Sequence, residues 1–401
     1  MLLFGMTFHS NADSINFTEN QTESGKGKTT FTKEELLEDY DQLWKDLETN
    51  YPFFPVLEEE GIDLEQVYQK GREQIKNRVS DLKGLQLILN SVFNQMNNFA
   101  HLQVVNQATV NAFELVCETS DDNIEQMLPW IQIIRKPQVE TTYAQMDNHE
   151  SLSEIKNEFM VDTSYLSDIA TLYFHFKSFD MSLVEGDCHV IQDYLSTLGD
   201  VPIEHIIFDI TGNRGGSTAY WQDNIVALFP GEYTYEQIVF YNDAPLNRYF
   251  YKDFLDYTPI SEFPTDSVLP DFVEQLQLSY YTEIEGTVGQ NTTSLVPELS
   301  DAKRWLLTDK TCYSASDQFA HFCKETGWAT LVGTATGGDG AVNFTPAMLE
   351  LENTGLLVYF STLTAANSDG TLNAKRGTAP DVFSKQGESA LDTCIRMIKS
   401  K

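Results

Sequence analysis

The sequence predicts an α/β protein in which a helical lobe precedes a core built on parallel strands. Three observations carry that expectation. Apolar residues recur at helix spacing through residues 31 to 100. A short β-branched run, His205 to Ile210 (HIIFDI), reads as a strand buried on both faces, which is the habit of parallel sheets. A polar turn (TCYSASD) opens a further helix, and an apolar strand then ends in VGTATGGDG at Gly340.

Residues 1 to 30 stand outside this frame. MLLFGMTF is apolar but lacks a basic flank and a small-residue cleavage site, so it is at most a remnant of an export signal. The polar stretch that follows reads as a flexible leader. Asn16 and Asn20 each begin a glycan-acceptor triplet, which has meaning only in a secretory pathway and also arises by chance.

Residues 31 to 105 are expected to form the helical lobe. Thr32 and Glu35 make a capping box, and Leu36, Tyr40, Leu43, Trp44 and Leu47 follow at steps of three and four. Pro52 and Pro55 end that helix. Two more helical segments follow, the last with Leu82, Leu85, Leu89, Val92, Phe93 and Met96 on one face. Residues 106 to 165 contain no glycine and repeat no earlier pattern, and are read as a connecting segment. The core is assigned to residues 166 to 401, beginning with the alternating run IATLYFHFKSF, in which His175 and Lys177 are polar positions of a strand rather than catalytic groups.

Composition narrows the function classes. The 401 residues hold 26 basic and 60 acidic side chains, a formal charge of −34. Binding to nucleic acid or an anionic membrane needs clustered Lys and Arg, so neither is expected as a partner. A cationic or unstructured polypeptide would be attracted, although a solvated acidic surface explains the same charge. No apolar run is long enough to span a bilayer. The five cysteines, Cys117, Cys188, Cys312, Cys323 and Cys394, are widely spaced and odd in number, which suits buried thiols better than a disulfide framework. The seven histidines lack metal-binding spacing, so no metal or cofactor is expected.

Two segments carry the chemistry. Ser314, at a strand-to-helix turn, would expose its hydroxyl beside the free N–H groups of a new helix, an arrangement that favours acyl transfer. Ser314, Ser316 and Asp317 are equally the residue types that simply cap helices. The HIIFDI strand empties into TGNRGGS, where Gly212, Gly215 and Gly216 let the backbone approach a ligand closely. A phosphate cradle is the alternative, but GxxxxGK[ST] is absent.

Taken together, DITGNRGGS, YSASDQFAHF and ATLVGTATGGDG resemble, in order and spacing, the carboxyl-terminal-processing (tail-specific) serine peptidase family, which includes the tricorn protease core. The likeness continues through Gly377, Pro380 and Asp381, similar to the family's closing G-x-x-P-D element. At the other end, LWKDLETNYPFF and NNFAHLQVV look like its helical lead-in and histidine motif. The resemblance implies a crotonase/ClpP-like α/β core, with a polypeptide as substrate and an envelope or extracellular location. The peptide-binding PDZ insertion found in many relatives is not apparent here.

The same resemblance implies Ser314 as nucleophile, His101 as base, and an oxyanion hole from the backbone N–H groups of Gly215 or Gly216 and of Ala315. One branch of the family activates its serine with a lysine, but Asp339 stands at that position and cannot act as one. The tricorn-like branch uses a histidine preceded by a helper serine, together with a glutamate. Those places hold Ala100 and Ala374 or Lys375, so the orienting acid is missing from its expected position, with Asp369 a loop candidate. Two functions follow: a serine endopeptidase, or a weak or inactive homologue that binds extended peptides in the same groove. Tyr233 to Tyr257, rich in aromatics, is a candidate groove wall or lid, or simply core.

Overall fold

A computed structural model describes residues 27–119, 124–147, 161–289, 299 and 301–400. The apolar N-terminal segment and both glycan-acceptor triplets lie outside the described residues.

The lobe begins with α1 (Lys33–Asn50), α2 (Phe54–Glu59), α3 (Leu64–Arg78) and α4 (Leu82–Gln95). The capping box forms as expected: Thr32 accepts from the Glu35 N–H, and the Glu35 carboxylate accepts from the Thr32 N–H. Pro55 lies in the first turn of α2 rather than merely ending α1, because a first-turn proline has no N–H to lose. After a tight turn come β1 (Gln103–Val104) and three helices, α5 (Gln107–Thr119), α6 (Ile124–Ile134) and α7 (Pro137–Asp147). The segment read as a connection is therefore largely helical where described. Trp130, Ile134, Val139 and Tyr143 bury the inner faces of α6 and α7.

The core continues through β2 (Val161–Leu166), β3 (Thr171–Phe176), α8 (Val184–Thr197), β4 (His205–Asp209), α9 (Thr218–Asn224), β5 (Tyr233–Tyr241), α10 (Pro245–Phe250), β6 (Thr258–Pro259), α11 (Asp271–Gln275) and β7 (Tyr280–Val288). Beyond these lie β8 (Lys303–Thr308), α12 (Ala315–Thr326), β9 (Thr330–Gly333), β10 (Ala347–Glu350), β11 (Leu357–Phe360), β12 (Leu363–Ala365), α13 (Asn373–Arg376), β13 (Val382–Phe383) and α14 (Ala390–Lys399).

A six-stranded sheet ordered β13-β9-β8-β4-β3-β2 forms the centre, parallel throughout except for β2. Its inner strands β4 and β9 are mostly apolar because both faces of the sheet are covered there. Ile206, Phe208, Leu306 and Leu331 point to the layer holding Phe319 and Phe322 of α12 and Trp221 of α9. Their neighbours Ile207, Trp305, Leu307 and Val332 point the other way, to Cys394 and Ile398 of α14. This two-residue alternation makes three layers, helix on sheet on helix.

A second sheet, β12-β5-β7-β6, takes up much of the aromatic segment, and Val239 and Tyr241 of β5 are fully buried. Tyr233 to Tyr257 is thus largely core. The third sheet, β1-β11-β10, joins lobe to core: Gln103 pairs with Tyr359, Val104 with Val358, and the Val105 N–H donates to the Leu357 carbonyl. Leu43, Leu47 and Phe93 of the lobe share one apolar cluster with Leu351, Leu356, Val358 and Phe360.

Candidate active site

Ser314 is reached from β8, which ends at Thr308 and leaves a turn of six residues, the last of them Ser314, before α12. Its backbone lies at φ 57°, ψ −123°, a conformation that costs a residue with a Cβ of order 1–3 kcal/mol and persists only where the surroundings enforce it. They do so here. The Ser314 N–H donates to the Gly338 carbonyl, and the Ser314 carbonyl accepts from the Gln318 N–H. The Ser314 side chain makes no capping bond to α12, so its hydroxyl is directed elsewhere.

That direction is His101. The Ser314 Oγ lies 2.9 Å from Nε2 of the imidazole. The opposite ring nitrogen, Nδ1, lies 2.5 Å from Oδ2 of Asp339. The ring is 11% exposed and the carboxylate 3%, so the chain of contacts runs through a nearly dry interior. Two hydroxyls complete it. The Ser361 Oγ, 3.2 Å from Nδ1, donates to Asp339 at 3.0 Å, and the Tyr313 hydroxyl donates to the same oxygen at 3.1 Å while accepting from the His101 N–H at 2.9 Å.

His101 arrives on a tight turn after α4 in which Asn97, Asn98, Ala100 and His101 all have positive φ. The turn is tied to the core by the Ser361 N–H, which donates to the Ala100 carbonyl at 2.8 Å. Asp339 sits at φ 62° in the loop after β9. That loop is held by α12, since Asp317 accepts from the Gly340 N–H at 2.9 Å, the Thr378 N–H at 3.1 Å and the Thr336 hydroxyl. Asn373 accepts from the N–H groups of Gly340 and Ala341. Asp317, read from sequence as a helix cap, is instead a fully buried strut under the Asp339 loop.

The glycine loop packs over the serine. A Cβ on Gly215, at φ 97°, would lie 2.5 Å from the Tyr313 carbonyl and 3.0 Å from the Ser314 Cβ, so only glycine permits the approach. The Gly215 N–H is already committed, donating to Oδ1 of Asn213 at 2.8 Å. Asn213 also accepts from the Ser316 hydroxyl at 2.6 Å and donates to the Phe176 carbonyl, which fixes the loop to both α12 and β3.

The structure thus brings Ser314, His101, Gly215 and Gly216 into one region and adds Asp339, Tyr313 and Ser361. Other candidates contribute no side chain to it. Lys375 pairs with Glu59 at 2.5 Å, Ala374 has no polar side chain, and Asp369 accepts from Thr371 in its own loop. His175 lies 3.3 Å from the Thr211 carbonyl, and Lys177 pairs with Asp162. Among the described residues no cluster of His, Cys, Asp and Glu could hold a metal ion. Cys188, Cys312, Cys323 and Cys394 are free thiols. Burial pushes Cys312 and Cys323 well above the usual thiol range and Cys394 up to about 12, which leaves them protonated and poor nucleophiles.

The profile of peptidase family S41 matches residues 170–384, more than half of the chain. The chain belongs to peptidase family S41. As an S41 member it is a serine-type peptidase, a hydrolase of the tail-specific class. The matched region contains Ser314 and Asp339 but starts downstream of His101. Solved structures give the same shape. Mature CPAF superposes with a TM-score of 0.51 at 11% identity, covering 92% of this chain and 96% of that one. CPAF complexed with lactacystin gives 0.50 at 12%, covering 92% and 97%. A candidate peptidase from Parabacteroides merdae gives 0.50 at 17%, covering 90% and 96%. At such identities the likeness speaks for the fold alone. No curated protein sequence matches the chain. Among the described residues, no helix of this S41 peptidase is long and apolar enough to cross a membrane.

Proposed function

We propose that this S41 peptidase hydrolyses polypeptides through an acyl-enzyme on Ser314, with His101 as general base and Asp339 as the acid that orients and charges it. The observation that carries this reading is the continuous contact from Ser314 Oγ to His101 Nε2 and from Nδ1 to Asp339. A serine hydroxyl needs such a base to attack at neutral pH, and the base needs a partner that fixes its tautomer. His101 takes the hydroxyl proton as Oγ attacks the carbonyl carbon, then gives it to the leaving amine. Water repeats the cycle to release the acid.

Because the Gly215 N–H already serves Asn213, the oxyanion hole is assigned to the N–H groups of Gly216 and Ala315. We assign the core to the crotonase/ClpP-like type, which its parallel β3-β4-β8-β9 order supports. The weak-homologue reading rests on a missing orienting acid, and the contact of Asp339 with His101 supports the active reading over it. By analogy within the family, the working location is the cell envelope or exterior.

The test is direct. Wild-type protein should cleave an unstructured polypeptide and be labelled at Ser314 by a fluorophosphonate probe, and Ser314→Ala should lose both. Unlabelled Ser314 together with undiminished cleavage by the variant would refute the assignment.

A further inference from the structure

A cavity of 680 Å³ opens between the second half of α12, the middle of β5 and the loops at 263–271 and 365–370. It is separate from the small space around His101 and Asp339. Its walls hold Glu236, Asp271, Glu325 and Asp369, and no lysine or arginine lines it. Lys324, the adjacent cation on α12, is held by Asp381 at 2.5 Å.

Carboxylates at a surface are usually just solvated, but a second observation points to a ligand. The His321 side chain lines the cavity at 4% exposure and has no hydrogen-bond partner among the described residues. An imidazole this buried whose ring nitrogens meet no protein partner is a place where a bound polar group could hydrogen-bond. Burial holds this imidazole below its ordinary value despite Asp317 and Glu325 nearby, so it offers one donor and one acceptor at neutral pH. Phe240, Phe263 and Leu269 supply apolar wall, and Val268 stands 91% exposed at the lining. A cationic head with an apolar stem fits such a mixture, and that is the build of a lysine or arginine side chain.

We infer that this cavity is an accessory subsite for a basic side chain of the polypeptide substrate, with the carboxylates taking the cation and His321 a polar group of the same segment. The inference rests on the peptidase reading for its biological sense. His321 is seven residues along α12 from Ser314, about 10 Å at 1.5 Å per residue. An extended chain needs about three residues to cover that span, so the recognised residue lies at least that far from the cleaved bond.

The test uses Ser314→Ala protein, so that binding is read without cleavage. A short fluorescein-labelled peptide of Lys, Leu and Ser is titrated by polarisation, beside a peptide carrying Glu at each Lys position. The basic peptide should bind and the acidic one should not. Glu325→Gln combined with Asp369→Asn should weaken binding about five-fold or more, since exposed pairs contribute up to about 1 kcal/mol each. Asp193→Asn with Asp200→Asn makes the same charge change outside the cavity and should leave affinity unchanged. Absent binding, equal binding of both peptides, or equal weakening by the two double variants would overturn the subsite. A parent enzyme that cleaves nothing would instead sink the catalytic reading and leave this measurement standing.

Discussion

Ser314, His101 and Asp339 share a property beyond their contacts: all three have φ near 60°. Three non-glycine residues at positive φ in one site represent stored strain, which folds retain where geometry matters more than stability. In the proposed mechanism Asp339 is the residue on which most depends. Asp339→Asn keeps shape and volume but lets His101 adopt the wrong tautomer, so kcat should fall about 10⁴-fold with KM little changed. Steady-state kinetics on a chromogenic peptide measure the split, and a loss under tenfold would exclude the acid's role. The role proposed for Asp339 was not legible in the sequence. A carboxylate in a G-G-D-G loop reads as a failed lysine until the loop is seen to fold back behind an imidazole 238 residues away. Ser361 and Tyr313 were hidden for the same reason, since each is an ordinary polar neighbour in sequence.

At the scale of elements, α12 does several jobs: it opens at Ser314, braces the Asp339 loop through Asp317, packs on the sheet through Phe319 and Phe322, and lines the accessory cavity with His321. The helix was readable from its turn and apolar stripe, as were β3, β4 and the capped α1, because each obeys a local period. The helices of 107–147 were not read, because their inner faces are covered by distant partners such as the Pro346 carbonyl, which accepts from the Trp130 indole. Burial of His321 also sets a pH response. In the unfolded chain this imidazole protonates near its ordinary value of 6.5, whereas in the folded chain it does so only at lower pH. Between about pH 7 and pH 5 the unfolded state therefore binds more protons, and stability falls as pH falls. Urea unfolding across that range should show the decline, and His321→Gln should flatten it. An unchanged slope in the variant would assign the response to other groups.

At the scale of the whole molecule, lobe and core meet through the β1-β11 ladder and the apolar cluster around Phe360. Phe360 is fully buried, its ring 5.9 Å from that of Tyr51, and the next residue is Ser361 beside His101. Phe360→Ala should cost about 3–5 kcal/mol in unfolding measurements. Because the cavity loosens the seat of His101, activity should fall as well. Full activity in a destabilised variant would show that the lobe is held by other contacts.

The pairing of β1 with β11 has a cellular consequence. His101 and Ser314 are 213 positions apart, and they meet only after the first quarter of the polypeptide has docked onto strands made near its end. On the proposed mechanism, a nascent or half-folded chain would carry a serine with no base, and could not digest itself or its neighbours before β11 is made and β1 has docked on it.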